Sequence, residues 1–262
     1  MQLRHATPAL VLSLLAFPVL SSPDSTTDRY HFEIETAMVT DLSELGQGEM
    51  ELTVHLAGEL SVAIAEDGGI TIVLDTMTGS SEGQGQQVTE EVLATMIGTT
   101  WTAVLDDKGR LSDLRADSAS SQAATQLEGI VLRGMFPYIP PGAAAGDTWA
   151  DTLSYSSSTA SGSRESTTYI EYTALGDTTY HGIKAMAVEA ASTATSTSYQ
   201  DAQGGLDRNG TNSGTGLFYI GSDGKYLGGV RRVESEVEVS GPQLPAVIPV
   251  TANTTITLEL LP

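Results

Sequence analysis

Along most of the chain, apolar and polar residues alternate with a period of two. Tyr30, Phe32, Ile34 and Met38 share one parity, and His31, Glu33 and Glu35 take the other. That pattern predicts a strand with one buried face. Gly46 to Gly48 makes a turn, after which Met50, Leu52, Val54 and Leu56 alternate with Glu49, Glu51, Thr53 and His55. Leu60, Val62 and Ile64 follow. Asp67-Gly68-Gly69 is a tight-turn signal, because glycine supplies positive φ without a Cβ clash. Ile70, Ile72 and Leu74 close an antiparallel meander, Tyr30 to Asp75, with one wet face.

Gly79 to Gln87 reads as a loop, and then the period changes. Val88, Val92 and Met96 recur at i+4 beside Leu93 and Ile97, with Thr89 as N-cap, Glu90 and Glu91 in the first turn and Gly98 at the end. This predicts a short amphipathic helix. Trp101, Ala103 and Leu105 enter a hairpin at Asp106 to Gly109, and Leu111 and Leu114 lead back. Residues 118–133 return to helical spacing through Ala123, Leu127, Ile130 and Val131. Met135 to Trp149 then holds three prolines and two glycines among Phe136, Tyr138, Ile139 and Trp149. It forbids a continuous helix or central strand and reads as a packed seam between two halves.

Beyond the seam, Ser154 to Ser163 is a serine-rich loop or exposed edge. Ile170, Tyr172 and Ala174 continue the β pattern, as does Ile183 to Ala191. Asp201 to Gly216 reads as a loop rich in glycine and asparagine. Leu217 to Ile220 enters a hairpin at Ser222 to Lys225, and Val233, Val237 and Val239 oppose Glu234, Glu236 and Glu238. Ile256, Leu258 and Leu260 end the chain as a strand. The Trp101–Leu111 and Phe218–Leu227 hairpins echo each other. Duplication and shared hairpin grammar explain this about equally well.

The predicted architecture is therefore mainly β: about ten antiparallel strands in a curved sheet or half-open barrel, with two short helices on one face. Residues 30–262 form one domain, its halves 30–134 and 146–262 joined by the seam. With 262 residues and 40% hydrophobic content a core can form. A net charge of −21 argues against nucleic acid and anionic membrane surfaces as partners. The absence of cysteine excludes disulfides, thiolate metal sites and a lipidated N-terminal cysteine. Arg4 and His5 followed by the apolar run Pro8 to Leu20 read as a signal peptide over 1–21, with a polar spacer over 22–29 and no integral membrane span after cleavage. The expected location is periplasmic or extracellular.

The Trp-led hairpin with its Lys-Gly turn, the Phe-Pro-x-x-Pro-Pro…Gly-Asp-Thr-Trp seam of Phe136–Trp149 and the late Gly-x-Lys hairpin resemble a large group of exported bacterial β-rich proteins of unknown function. That group has no agreed activity, so the resemblance implies no catalytic residue. A sheet with two helices laid on it is also similar, as fold analogy alone, to the half-open barrels of envelope lipoprotein carriers, which surround an apolar cavity.

Candidate chemistry is sparse. Gly79-Ser80-Ser81-Glu82-Gly83 matches Gly-x-Ser-x-Gly in form, but a nucleophile elbow needs a helix at once, and Gly85 to Gln87 intervene. Asp75-Thr76 resembles an aspartic-protease loop, but Met77 stands where glycine is required and no second Asp-Thr/Ser-Gly exists. Asp207 to Asn212 has oxygen side chains two apart but lacks the bidentate Glu, Phe218 standing there, which leaves only weak calcium binding open. His31, His55 and His181 lack zinc spacing. Asn209 and Asn253 head glycosylation sequons. Trp101 and Trp149 suit core more than a ligand cavity. No catalytic, cofactor-binding or metal residue is assigned, and no cofactor is expected.

Three functions follow. The first is a non-catalytic module holding an apolar or lipid-like ligand between the sheet and the helices of 88–97 and 118–133, in a cavity above roughly 300 Å³. The alternative is a structural or envelope-protein-binding module using strand edges at 154–168 or 192–199. The third is a hydrolase using Ser81 or Asp75.

Overall fold

The computed structural model describes residues 27–84, 88–116, 127, 131–159, 162–201 and 205–262. Its strands are β1 (Thr27–Asp41), β2 (Glu49–Ile64), β3 (Gly69–Gly83), β4 (Thr100–Leu105), β5 (Leu111–Ala116), β6 (Thr148–Thr159), β7 (Gly162–Tyr180), β8 (Ile183–Gln200), β9 (Leu206–Gly221), β10 (Tyr226–Ser240) and β11 (Ile248–Leu260). All eleven join one open antiparallel sheet in the order β5-β4-β3-β2-β1-β11-β10-β9-β8-β7-β6. Two meanders meet at its centre, where Tyr30 opposes Leu260, Phe32 opposes Leu258 and Ile34 opposes Ile256.

The halves are not equivalent. The first runs outward from the centre to an edge, and the second runs from an edge inward. The Trp101 hairpin therefore forms an edge while the Phe218 hairpin lies inside the sheet. Each is nonetheless made by the fourth and fifth strands of its half, with β11 added beyond the second.

The apolar parity read in the sequence faces inward. Phe32, Leu60, Ile72, Leu74 and Trp101 bury their side chains completely, each contributing about 1.5–3 kcal/mol by leaving water. Phe32 lies over Gly58, its direct partner on β2. A Cβ there would come within 2.7 Å of the Phe32 ring and 2.3 Å of the Thr76 carbonyl oxygen. A short helix, α1 (Glu90–Ala94), covers this face through Leu93, and Met96 just beyond it is also buried. Thr89 caps it, its hydroxyl accepting from the Val92 N–H at 3.3 Å. Leu127, Val131, Leu132 and Met135 complete the seal.

The two sheet edges approach each other without a ladder between them. Arg110, in the β4–β5 turn, donates to Asp106 and reaches Asp151 of β6 at 2.8 Å. Lys108 lies 5.3 Å from the ring centre of Tyr138 in the seam.

Several expectations need correcting. Asp201 to Gly216 is not a loop: residues 206–216 are strand, because β8 and β10 offer a ladder on both sides. That tertiary pairing overrides the weak strand propensity of glycine and asparagine. Gly79 to Gly83 extends β3 along Leu52–Leu56. The segment 192–199 is no edge, since β8 lies between β7 and β9. The strand pattern starts at Thr27, inside the expected spacer. Val92 and Ile97 are exposed while Leu93 and Met96 are buried, so the helix presents a rotated stripe. The helix expected over 118–133 lies mostly outside the described residues; Leu127 is helical and buried.

Candidate functional site

The space expected to hold a ligand between sheet and helices is packed, with Trp101 and Leu132 fully buried and Leu93 and Met96 nearly so. Two cavities stand out elsewhere. A groove of about 550 Å³ crosses the outer face, lined by Thr167, Tyr169, Thr193, Thr211, Glu234 and Glu236 among others. A hollow of about 440 Å³ lies at the seam between Pro140 and Trp149. Both present hydroxyls, carboxylates or backbone rather than a closed apolar chamber.

The inner face of the second half is organised differently. Register carries the inner parity from Phe32 through Leu258 and Gly229 to Phe218, Val188 and Ala174. Near this level an aromatic row crosses the sheet. Trp149 stacks on Tyr172 at 5.4 Å, Tyr172 meets Phe218 edge-on at 6.0 Å, and Phe218 stacks on Tyr226 at 6.2 Å. Tyr226 lies 6.5 Å from Tyr30, whose hydroxyl donates to the Tyr226 carbonyl at 3.0 Å. Burial pushes the Tyr172 hydroxyl up to about 12, with the Asp151 charge adding to the effect. Burial raises Tyr226 and Tyr30 as well.

Beyond this row the inner positions shrink. Ala190, Ser192, Ala194 and Ser196 on β8 face Gly216, Gly214, Asn212 and Gly210 on β9, flanked by Val233, Val237 and Val239 of β10. All are half-buried, while their alternating neighbours on the outer face are exposed. Among the described residues no helix lies on this stretch.

Arg231 stands at the boundary between sealed and open surface. It occupies the inner parity, opposite Ile256 and Gly216. Its Nη1 reaches within 4.0 Å of where a Gly134 side chain would begin, under the turn Leu132–Gly134. It makes no hydrogen bond or ion pair among the described residues. Burial pulls its pKa down, and the tyrosines at 172 and 226 are the groups that favour its charge.

The residues singled out from sequence do not assemble into a catalytic centre. Ser81 faces inward opposite Val54, and its hydroxyl accepts from the Val88 N–H at 2.9 Å. His55 lies on the other face of the neighbouring strand, opposite Ser80. Asp75 sits at a register shift in β3 and accepts from the Ser61 hydroxyl at 2.6 Å. Asp207, Asn209 and Thr211 point outward while Arg208, Gly210 and Asn212 point inward, so this stretch cannot wrap a calcium ion. No group of three His, Asp or Glu able to hold a metal occurs among the described residues. His31 lies 3.3 Å from Glu33, and His181 meets Tyr180 edge-on. Asn209 and Asn253 are exposed on outer strand faces. The tryptophans divide: Trp101 is core, whereas Trp149 is half-buried, donates to the Tyr138 carbonyl at 2.8 Å and lines the seam hollow. Sequence reasoning missed Arg231. The signal was there, a charge on the same parity as Val233, Val237 and Val239.

No family model matches the chain, and no curated protein matches it. Among solved structures, lipovitellin, described for its lipid–protein interactions, matches with a TM-score of 0.46 at 10% identity, over 90% of this chain. The chain spans about a quarter of that protein, 25% of its length. OpdQ and OccK5 (OpdH) of Pseudomonas aeruginosa match with TM-scores of 0.28 and 0.27 at 7% and 8% identity, each over 90% of this chain and over 99% and 98% of their own.

Proposed function

We propose that this protein is a non-catalytic, exported binding module of the envelope or extracellular space, and that it holds an apolar or lipid-like ligand against the inner face of β7 to β11. One observation carries the reading. The inner face is sealed in the first half, yet in the second it continues as half-buried valine, alanine, glycine and serine with no described element upon it. Small side chains leave room that an apolar chain can fill, and burying that surface is favourable by about 25 cal/mol per Å². The aromatic row from Trp149 to Tyr30 forms its floor. The reading takes residues 1–21 as a cleaved export signal, which N-terminal sequencing of the mature protein checks.

The test is extraction and mass spectrometry of lipids from protein purified out of its own host, beside an Ala194→Phe variant that fills the trough. A co-purifying apolar species, depleted in the variant, supports the reading. Its absence from the folded wild type overturns it.

A second reading, a partner strand docking on an edge, is favoured by β6. Its ladder with β7 runs unbroken from Thr148–Thr173 to Thr159–Gly162, and Thr152 to Thr159 carry no charge. The other edge, β5, is six residues long, pairs with a register shift and carries Asp113 at φ 52 and Arg115. Those are devices that block pairing, and β6 lacks them. Pull-downs from envelope extract with wild type and Ser156→Pro check it: a captured protein lost in the variant supports the edge, and no captured protein removes it.

A further inference from the structure

A guanidinium facing apolar side chains is costly unless paired and hydrogen-bonded. Arg231 is half-buried on this face: its neighbours across the ladder are Ile256 and Gly216, and none of its donors meets a described acceptor. The nearby carboxylate on the inner face, Asp151, accepts through Oδ1 from Arg110 at 2.8 Å and from the Thr152 N–H at 2.9 Å, while its buried Oδ2 accepts from no described donor, Arg231 included. The hydroxyls of Tyr172 and Tyr226 likewise donate to no described acceptor. They are held by the ring contacts through Phe218, the inner residue next to Gly216 on β9. One guanidinium and two hydroxyls thus line the same stretch of inner face, and among the described residues none of them donates to an acceptor.

The chemistry that satisfies such a set is a small oxyanion. Arginine offers a planar fork of N–H donors matched to carboxylate or phosphate, and tyrosine hydroxyls add neutral donors without adding charge. The location narrows the choice further. Arg231 lies where the sealed core gives way to the trough, beneath the turn at Leu132–Gly134. An anion here has the aromatic floor on one side and the small-residue inner wall of β8 and β9 beyond it. A chain-bearing anion places its head at the arginine and its tail along the wall.

We infer that Arg231, with the hydroxyls of Tyr172 and Tyr226, is a receptor for an oxyanion, and that on the ligand-binding reading above it takes the carboxylate or phosphate head of an amphiphile whose tail lies in the trough. The ligand class is therefore acidic lipids rather than neutral ones, although the protein itself carries a net charge of −21. Arg231 overcomes that repulsion because it acts at contact in a half-buried site, while the surface charge is screened over about 8 Å at physiological salt.

The experiment titrates wild type, Arg231→Met and Arg231→Lys with three probes: oleate, oleyl alcohol and inorganic phosphate. Fluorescence of Trp149, stacked on Tyr172, reports occupancy. Oleate is expected to bind wild type at least tenfold more tightly than the alcohol. Arg231→Met should bring that ratio to about one while leaving alcohol binding in place, and Arg231→Lys should restore part of it. Phosphate that binds as tightly as oleate, and only with Arg231 present, identifies a free anion as the occupant. Equal wild-type affinity for oleate and alcohol overturns the receptor while the binding module stands. Binding of neither amphiphile overturns the module, and failure of phosphate as well overturns both. The wild-type ratio alone decides the matter should Arg231→Met fail to fold.

Discussion

Phe32 and Val237 lie on the same face of the same sheet, yet they live in different solvents. Phe32 is fully withdrawn from water over Gly58, and Val237 remains half-exposed opposite Gly210 and Val250. What differs is the second layer. Over β1 to β4 the inner face meets α1 and the side chains of Leu127, Val131, Leu132 and Met135. Over the far ends of β7 to β10 no described element meets it. Residue size follows: phenylalanine, leucine, isoleucine and tryptophan where a layer provides partners, and alanine, serine and glycine where none does. Alternation makes a face, and only a covering layer makes a core.

The comparison breaks most visibly by truncation. Phe32→Ala is expected to cost about 4 kcal/mol, since both transfer and cavity terms apply. Val237→Ala is expected to cost about 1 kcal/mol or less at a half-exposed position. Urea unfolding reads both, and equal losses would mean that the second half is sealed as well.

Next in size is the bridge between the two edges. Arg110→Ala leaves Asp151 buried and uncompensated, for a loss of about 3 kcal/mol. Burial works against ionisation of Asp106, but hydrogen bonds from the Arg110 side chain and from the N–H groups of Arg110 and Lys108 outweigh it and hold its carboxyl below the usual 3.8. A carboxyl depressed by folding contributes stability above its ordinary pKa and loses it as pH falls through the lowered value. The Tm gap between wild type and Asp106→Asn should therefore be full at pH 7 and close below about pH 4. A gap that persists in acid would assign the effect to packing.

The finest probe is one substitution made in both halves. Gly58→Ala forces a Cβ to within 2.3 Å of the Thr76 carbonyl and is expected to destabilise by about 2 kcal/mol or more. Gly216→Ala meets nothing closer than 3.5 Å and is expected to be neutral or to stabilise by about 0.5 kcal/mol, by restricting the unfolded chain. Similar losses at both sites would put hidden structure over β9.

The strands, their inward faces and both Asp-led hairpin turns were legible because they are local: period two and turn chemistry need only a few neighbouring residues. The sheet edge at 154–159 was legible for the same reason, in its run of serine without charge. The glycine- and asparagine-rich stretch 206–216 misled because its strand state comes from its two neighbours and not from its own propensity. The candidate site was hardly legible. Arg231 breaks a valine parity in plain view, but that it meets no carboxylate among the described residues depends on what the fold brings around it.

Alternation along the backbone decides that Tyr30 and Leu260 each lie on an apolar face, and nothing within either strand says that they are partners 230 positions apart. Steric pleating acts over two residues, whereas ladder order, the Arg110–Asp151 bridge and the placing of Arg231 opposite Ile256 and Gly216 depend on which distant segments the collapsed chain brings together. The first is written in the residues one after another; the second exists only once the two meanders have closed on each other through β1 and β11.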